Sequence, residues 1–483
     1  MPNTDYTQPR LLPQANARLF APQAPAAERS PAGLAQPQQQ TLLCATLATI
    51  AHFFGPPERW LAGINDPRDA RKITYPLPAV LFTGVWMFLC HLSARRQVTH
   101  QLRDNAPSAA NFAQLFGVAC VPHGDTLNVT YARLDPAQVQ AQVTRLTATL
   151  IRRQVLRRSR LWDRYYVIAI DGTGIYTFHQ RHCAHCLTRT SQDGQTLYSH
   201  NVLEAKLVTP DGFAFSLLSE FIENPAPHPT KQDCELKAFY RLAARLKACF
   251  PRLPMVLALD SLFAGGPTFQ LCRDYGWHYV IVLQEGDLPS VHEEFAALAR
   301  LAPDQSLRLR TGPQAEVRQT FHWANQIDYR DTQGRAHQLS VLACQESKPQ
   351  ADGSRRATRF VWVTDFHLRS NQVRELAQNA GRLRWKIENQ GFNAQKHGGF
   401  ALEHAYSQDD TAAKVFYYLL QIAHLLFQLV LAGSLLQQSF PRGFGSLKNF
   451  AFRLLEAWRN CLLPAHCLTL IDRLRCQIRL DTS

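Results

Sequence analysis

Two short apolar runs each end in an aspartate: Tyr165 to Ile170 before Asp171, and Met255 to Leu259 before Asp260. Far downstream, Arg384-Trp385-Lys386-Ile387-Glu388-Asn389 places a glutamate among basic and aromatic neighbours suited to a polyanion. Carboxylate oxygens suit hard divalent cations, which can activate an attacking oxygen and stabilise the one that leaves a phosphodiester. An apolar, β-branched run bounded by a glycine turn reads as a buried strand. A carboxylate just past it sits at the sheet rim, open to solvent and substrate. Plainer readings exist for each piece. Asp171 with Gly172 can stabilise a strand-to-turn transition, and Arg384 with Glu388 can be an ordinary helix pair worth about 0.2–0.5 kcal/mol. The recurrence of one placement on two strands favours the chemical reading.

A second constellation lies between the first two expected strands: His179, His182, Cys183, His185 and Cys186. Cys183 and Cys186 have the spacing of a zinc half-site, and histidines can complete a tetrahedral shell. No second CxxC exists, so the remaining ligands would be His182 and His185, or distant groups such as Cys120 and His123. The alternative is a histidine-rich hairpin tip that meets DNA phosphates or solvent. Cysteine nucleophile chemistry is disfavoured, because nothing supplies a positioned acid and orienting partner.

The elements that must position these groups follow from pattern. From Gln40 to about Arg160 apolar residues recur at helical spacing, through Leu42 to Phe54, Pro78 to Leu92 and Val139 to Leu156, with Asp135-Pro136 as the start of the last helix. After Leu161 the period changes. Strands are expected at Tyr165 to Ile170, within Gln195 to Thr209, at Phe213 to Glu223, Met255 to Leu259 and His278 to Leu283, with Pro210-Asp211-Gly212 as a tight turn and helices at Lys231 to Phe250 and Thr268 to Tyr275. The order β-β-β-α-β-α-β implies a mixed sheet with helices on its faces. Ser306 to Arg310, Glu316 to Tyr329 and Gln338 to Cys344 read as a β-rich insertion, residues 285–359, before Phe360 to Thr364. A helix carrying Arg384 and Glu388 then returns to the sheet. A long apolar helix follows from Thr411 to Gln438, and a small helical tail occupies 439–483.

Bulk properties are compatible with this plan. The 483 residues exceed one typical core, so several units are expected: a tail over 1–40, a helical domain over 41–160, a catalytic core over 161–284 and 360–438, the insertion and the helical tail. The first forty residues contain 7 Pro, 7 Gln and 8 Ala, too few large apolar groups to offset ordering entropy, so disorder is expected there. A net charge of +14 favours an anionic partner. Nucleic acid is preferred over a membrane surface because the charge is clustered: Arg152, Arg153, Arg157, Arg158 and Arg160 fall within nine residues and, on a helix, would meet phosphates. A solvated helical face is the plain alternative. Leu77 to Leu92 is short for a membrane span, and Val415 to Leu436 carries Gln421, His424 and Gln428; both read as core helices. Twelve cysteines and no apolar leader suggest free thiols in a reducing cytoplasm.

Ala169-Ile170-Asp171-Gly172-Thr173-Gly174, Lys231-Gln232-Asp233-Cys234-Glu235, Leu259-Asp260-Ser261-Leu262 and Arg384-Trp385-Lys386-Ile387-Glu388-Asn389 together resemble DDE transposases of bacterial insertion sequences. The resemblance covers roughly Asp66 to Leu436. It implies an α/β, ribonuclease H-like catalytic core with a mixed five-stranded sheet. It also implies an enzyme that binds the inverted ends of its element, cuts there and joins the 3′ hydroxyls to target DNA. By position Asp171, Asp260 and Glu388, spaced 89 and 128 residues apart, match the catalytic carboxylates. They would bind two Mg²⁺ ions, with Mn²⁺ as a substitute. Of the tyrosine-arginine-glutamate-lysine signature around the third carboxylate, Arg384 and Glu388 match, Gly381 replaces the tyrosine, and Gln395 holds the lysine position with Lys396 one residue late. On a regular helix that shift rotates Lys396 by about 100°. Arg384, Trp385, Lys386 and Lys396, with the arginines at 152, 153, 157 and 158, are the expected DNA contacts. A homodimer holding two DNA ends, working on the bacterial nucleoid in the cytoplasm, is the implied form. The rival readings are a ribonuclease H-like nuclease or resolvase that cuts without joining, and a non-catalytic, zinc-stabilised DNA-binding protein.

Overall fold

A computed structural model describes residues 33–181, 183–225, 231–350, 352–464, 467 and 478–480. The tail expected over 1–40 falls mostly outside them; its last residues already belong to helix α1 (Gln36–Phe54), which starts with proline in its first turn. Of the expected C-terminal helical tail, residues 465–466, 468–477 and 481–483 lie outside the described residues.

Ten strands form one open sheet: β1 (Tyr166–Phe178), β2 (Leu187–Thr190), β3 (Thr196–Val208), β4 (Ala214–Ile222), β5 (Met255–Leu259), β6 (His278–Val282), β7 (Ser306–Thr311), β8 (Val317–Arg330), β9 (Ala336–Pro349) and β10 (Arg355–Thr364). The spatial order is β2-β3-β1-β5-β6-β10-β9-β8-β7, and β4 also pairs with β3. β1 runs parallel to β5 and β5 to β6, whereas β1–β3 and β3–β4 are antiparallel. The five expected strands are therefore the neighbours β4-β3-β1-β5-β6, the centre of an α/β fold consistent with a ribonuclease H-like architecture. The sheet is wider than the five strands expected. β10 pairs antiparallel with β6, so β7 to β10 extend the same sheet. The segment read as an insertion is thus continuous with the core, an outcome of strand pairing that local periodicity does not encode.

Period-two alternation sorts the central strands between two apolar faces. Ile168, Ile170, Leu257 and Leu259 join the larger core, and Val167, Ala169, Val256 and Ala258 join a smaller one. The smaller core is completed by Val373, Leu376, Ala380, Leu383, Ile387 and Phe392 of the helical segment spanning residues 370–397.

The N-terminal helices share the larger core: α1, α2 (Leu77–Leu89), α3 (Ala106–Phe116), α4 (Gly124–Tyr131) and α5 (Pro136–Arg152). Asp135 caps α5 by accepting from Ala137 N at 2.9 Å, with Pro136 in its first turn, as its sequence predicts. α5 lies along β4, where Thr144 and Thr147 hydroxyls each donate to strand carbonyls at 2.7 Å. These contacts satisfy backbone groups of an edge strand that would otherwise invite another chain.

The sheet is completed by α6 (Glu235–Cys249), α7 (Gly266–Tyr275), α8 (Pro289–Leu301) and α9 (Ser370–Leu376), and the chain continues through α10 (Asp410–Ala432) to α11 (Leu447–Asn460). Helix α10 is long and apolar enough to cross a membrane, yet its apolar stretch is buried inside the protein. Its polar residues have internal partners: Gln421 Oε1 accepts from Lys206 Nζ at 2.7 Å, and Gln428 Oε1 accepts from Ala214 N at 2.8 Å.

Candidate active site

Asp171 and Asp260 reach the same corner because their strands are in register. Ala169 pairs with Ala258 across the parallel β1–β5 ladder, and each aspartate lies two residues past that pair. Adjacent strands are about 4.8 Å apart, and alternation turns both side chains toward the face covered by the 370–397 segment. Gly172 N donates to Asp171 Oδ1 at 2.9 Å, and Leu262 N to Asp260 Oδ1 at 3.1 Å. One oxygen of each carboxylate is thus tied to its own turn.

The 370–397 segment contains two π-helical turns, Ala377–Gly381 and Ile387–Phe392, around the short 3₁₀ turn Arg382–Arg384. Such turns admit an extra residue and recur at functional sites. The second falls ahead of Lys396, where one extra residue offsets about the 100° by which a regular helix would rotate it. Gln395 is buried, with its Nε2 donating to Gln421 at 2.8 Å, and Lys396 is half-buried, 3.1 Å from Glu403. The tyrosine position is closed sterically, since a Cβ on Gly381 would lie 2.6 Å from the Trp362 ring.

Arg384 meets the rim directly. Its Nη1 lies 3.1 Å from Asp171 Oδ2, and its guanidinium stacks 4.5 Å from the Trp385 ring centroid. Its Nε is buried with no hydrogen-bond partner. Burial pushes the Asp171 carboxyl up to about 7; Arg384 opposes the rise, and the charges of Asp260 and Glu388 add to it. Asp260 is likewise raised by burial, against the opposing charge of Arg384. All three expected carboxylates thus act within one electrostatic neighbourhood, but they do not close into a tight cluster. Among the described residues, the groups with all ligand atoms within 4.8 Å of one another are Cys183, Cys186 and His200, and His200, Glu223 and Asp410. A fourth carboxylate, unassigned by sequence reasoning, joins the rim: a Cβ on Gly172 would meet Glu235 Oε1 at 2.2 Å, and Glu235 is raised by burial and by Asp260. Its signal was present in the Lys231 to Glu235 stretch, which pointed to the site without a role.

Several expected DNA contacts are placed otherwise. Lys386 is only 8% exposed and its ammonium is lowered by burial, with Asp211 as the favourable charge, so it belongs to the interior. The arginine cluster does not share one helix, because α5 ends at Arg152 and Gln154 adopts φ 59°. Arg153 donates to the carbonyls of His52 and Phe53 at 2.6 and 2.8 Å, closing the end of α1. Arg152 donates to Thr149 Oγ1 at 3.1 Å, and Arg157 and Arg158 are exposed on a 3₁₀ turn. Trp385 is half-buried beneath Arg384.

Of the expected zinc ligands, His182 lies outside the described residues. His185 is turned away, its Nδ1 3.0 Å from the Asn224 carbonyl. Cys120 contacts the Tyr75 hydroxyl, and His123 caps α4 by accepting from Asp125 N. Cys183 and Cys186 instead converge on His200, which lies across the β1–β3 ladder from Tyr176. No disulfide forms among the cysteines of the described residues.

No curated protein matches the chain. Residues 59–147, from just after α1 through most of α5, match the family model described as DDE_Tnp_1-associated, which indicates a DDE-type transposase family and a transposase-related function.

Proposed function

We propose that the protein is a DNA transposase that binds the inverted ends of its own element, cuts the strands there and joins the resulting 3′ hydroxyls to target DNA. The observation that carries this reading is the approach of the 370–397 segment to two registered strand ends, where Arg384 contacts Asp171 at 3.1 Å and Asp171 senses Asp260 and Glu388. The matched N-terminal segment supports the same class.

The rim suits hard divalent cations. Its donors are carboxylate oxygens, and burial of like charges opposes their ionisation, which a nearby cation would favour. Asp171, Asp260 and Glu388 would hold Mg²⁺ or Mn²⁺, which when bound supplies activation of the attacking oxygen and charge stabilisation of the leaving one. Asp171 and Asp260 keep one oxygen each on a backbone N–H, which fixes the direction of the other. Arg384, braced on Trp385, balances the Asp171 charge. In this reading sheet register sets the two aspartates side by side, and the helical segment brings Arg384 to balance their charge.

Joining separates this function from simple cleavage. Given pre-cut ends bearing 3′ hydroxyls, the protein should yield covalently joined products with target DNA in Mg²⁺. Cleavage of intact ends without any joined product would instead identify a nuclease or resolvase.

A further inference from the structure

We propose a zinc site, separate from the carboxylate rim, in which Cys183, Cys186 and His200 bind one Zn²⁺ that fastens the β1–β2 connection to β3. Cys183 Sγ lies 3.4 Å from Cys186 Sγ, and His200 Nε2 lies 3.3 and 3.4 Å from the two sulfurs. Zinc bonds of about 2.3 Å to sulfur and 2.0–2.1 Å to nitrogen imply ligand–ligand edges of roughly 3.6–3.8 Å in a tetrahedron. The three atoms already form one such face within a few tenths of an ångström. Two thiolates and an imidazole select a borderline-soft cation over Mg²⁺.

The surroundings hold this face in place. His200 is 2% exposed and packs 5.2 Å from the Tyr176 ring. Asn224 pins the connection from behind: its Nδ2 donates to the Cys186 carbonyl at 2.8 Å, and its backbone N to the His185 carbonyl at 3.1 Å. Glu223 and Asp410 offer carboxylate oxygens within 4.8 Å of a His200 ring nitrogen, and Glu223 Oε1 is buried without a hydrogen-bond partner. A carboxylate beside a ligating imidazole orients the ring and strengthens it as a ligand. Lys414, 2.9 Å from Glu223 and 2.8 Å from Asp410, holds those carboxylates between α10 and β4. The fourth position is left to water or a neighbouring oxygen.

The site is distinct from the rim. His200 pairs with Tyr176, five residues beyond Asp171, so the two lie about 16 Å apart along β1. Its function is that of a staple, tying a short connection and β2 to the sheet where few apolar residues are present to do so.

Full-length protein purified under reducing conditions and exchanged into zinc-containing then metal-free buffer should retain about one zinc per chain. Zinc X-ray absorption should give a first shell of two sulfurs with nitrogen or oxygen. Cys186→Ser and His200→Asn should each lose the metal, whereas Asp260→Asn should keep it, so the result stands apart from the catalytic reading. Trace zinc in the unsubstituted protein, a shell without sulfur, or full retention in both ligand variants would overturn the proposal. The unsubstituted protein decides the question even if a variant fails to fold.

Discussion

Asp171 carries an unfavourable ionisation that the fold maintains. Burial lifts its carboxyl from an ordinary 3.8 to about 7 despite the Arg384 contact. Because the folded value is raised, an unfolded chain ionises first. The contribution of this carboxyl to stability is full below about pH 4 and is lost as pH rises toward 7. Asp171→Asn removes that loss. In chelator, the variant should gain about 1–3 kcal/mol over the native chain at pH 8 and nothing at pH 4, as read by urea unfolding. Added Mg²⁺ should stabilise the native chain and narrow the gap. The two aspartates were legible in the sequence because an apolar run plus alternation fixes both their depth and their face. His200 was not, because its nearness to Cys183 and Cys186 exists only once β3 pairs with β1. Lys386 misled for a related reason. Its charge and its neighbours read as surface, while the helix phase directs it inward.

Helix α10 and strand β3 are joined by a buried polar network. Lys206 and Glu204 are both fully buried and 3.1 Å apart; Glu204 also accepts from Ser216, Ser219 and, at 2.6 Å, the Tyr417 hydroxyl. Lys206 continues to Gln421, and its methylenes pass 3.2 Å from where a Gly391 Cβ would lie. The network thereby links α10, β3 and the segment that carries Glu388. Removing one charge strands the other in a dry site. Lys206→Met should cost about 3–5 kcal/mol, and adding Glu204→Gln should recover part of that loss; a double-variant loss equal to the sum of the two single losses would show that the two are uncoupled. The helices and strands themselves were legible through periodicity and caps. The π-helical turns were not, because local apolar spacing does not say where an extra residue enters a helix. Only the fold shows that a π-helical turn falls between Ile387 and Phe392, ahead of Lys396, and that Trp362 closes the position where the tyrosine would stand.

At the scale of the whole molecule, the charge of +14 is divided between structural and solvent-facing cations. Arg153 closes α1 and Lys386 is interior, while Arg157 and Arg158 face solvent. Arg157→Ala and Arg158→Ala should each reduce the salt dependence of DNA binding by about one phosphate, whereas Lys386→Ala should leave that slope unchanged and lower stability. Composition announced an anionic partner but not which cations would meet it. Likewise, the strands after Ser306 were visible, but their fusion with the central sheet depended on β10 choosing β6 as its neighbour. The proposed transposition requires that the carboxylate rim cut DNA. Its most direct test is Mg²⁺-dependent nicking of DNA carrying the sequences that flank the gene, compared among the native chain, Asp171→Asn, Asp260→Asn and Glu388→Gln. The native chain should nick at the ends, and all three variants should bind that DNA with nearly native affinity yet lose nicking by at least about 10³-fold. Native-rate nicking by any one of the three would contradict the account.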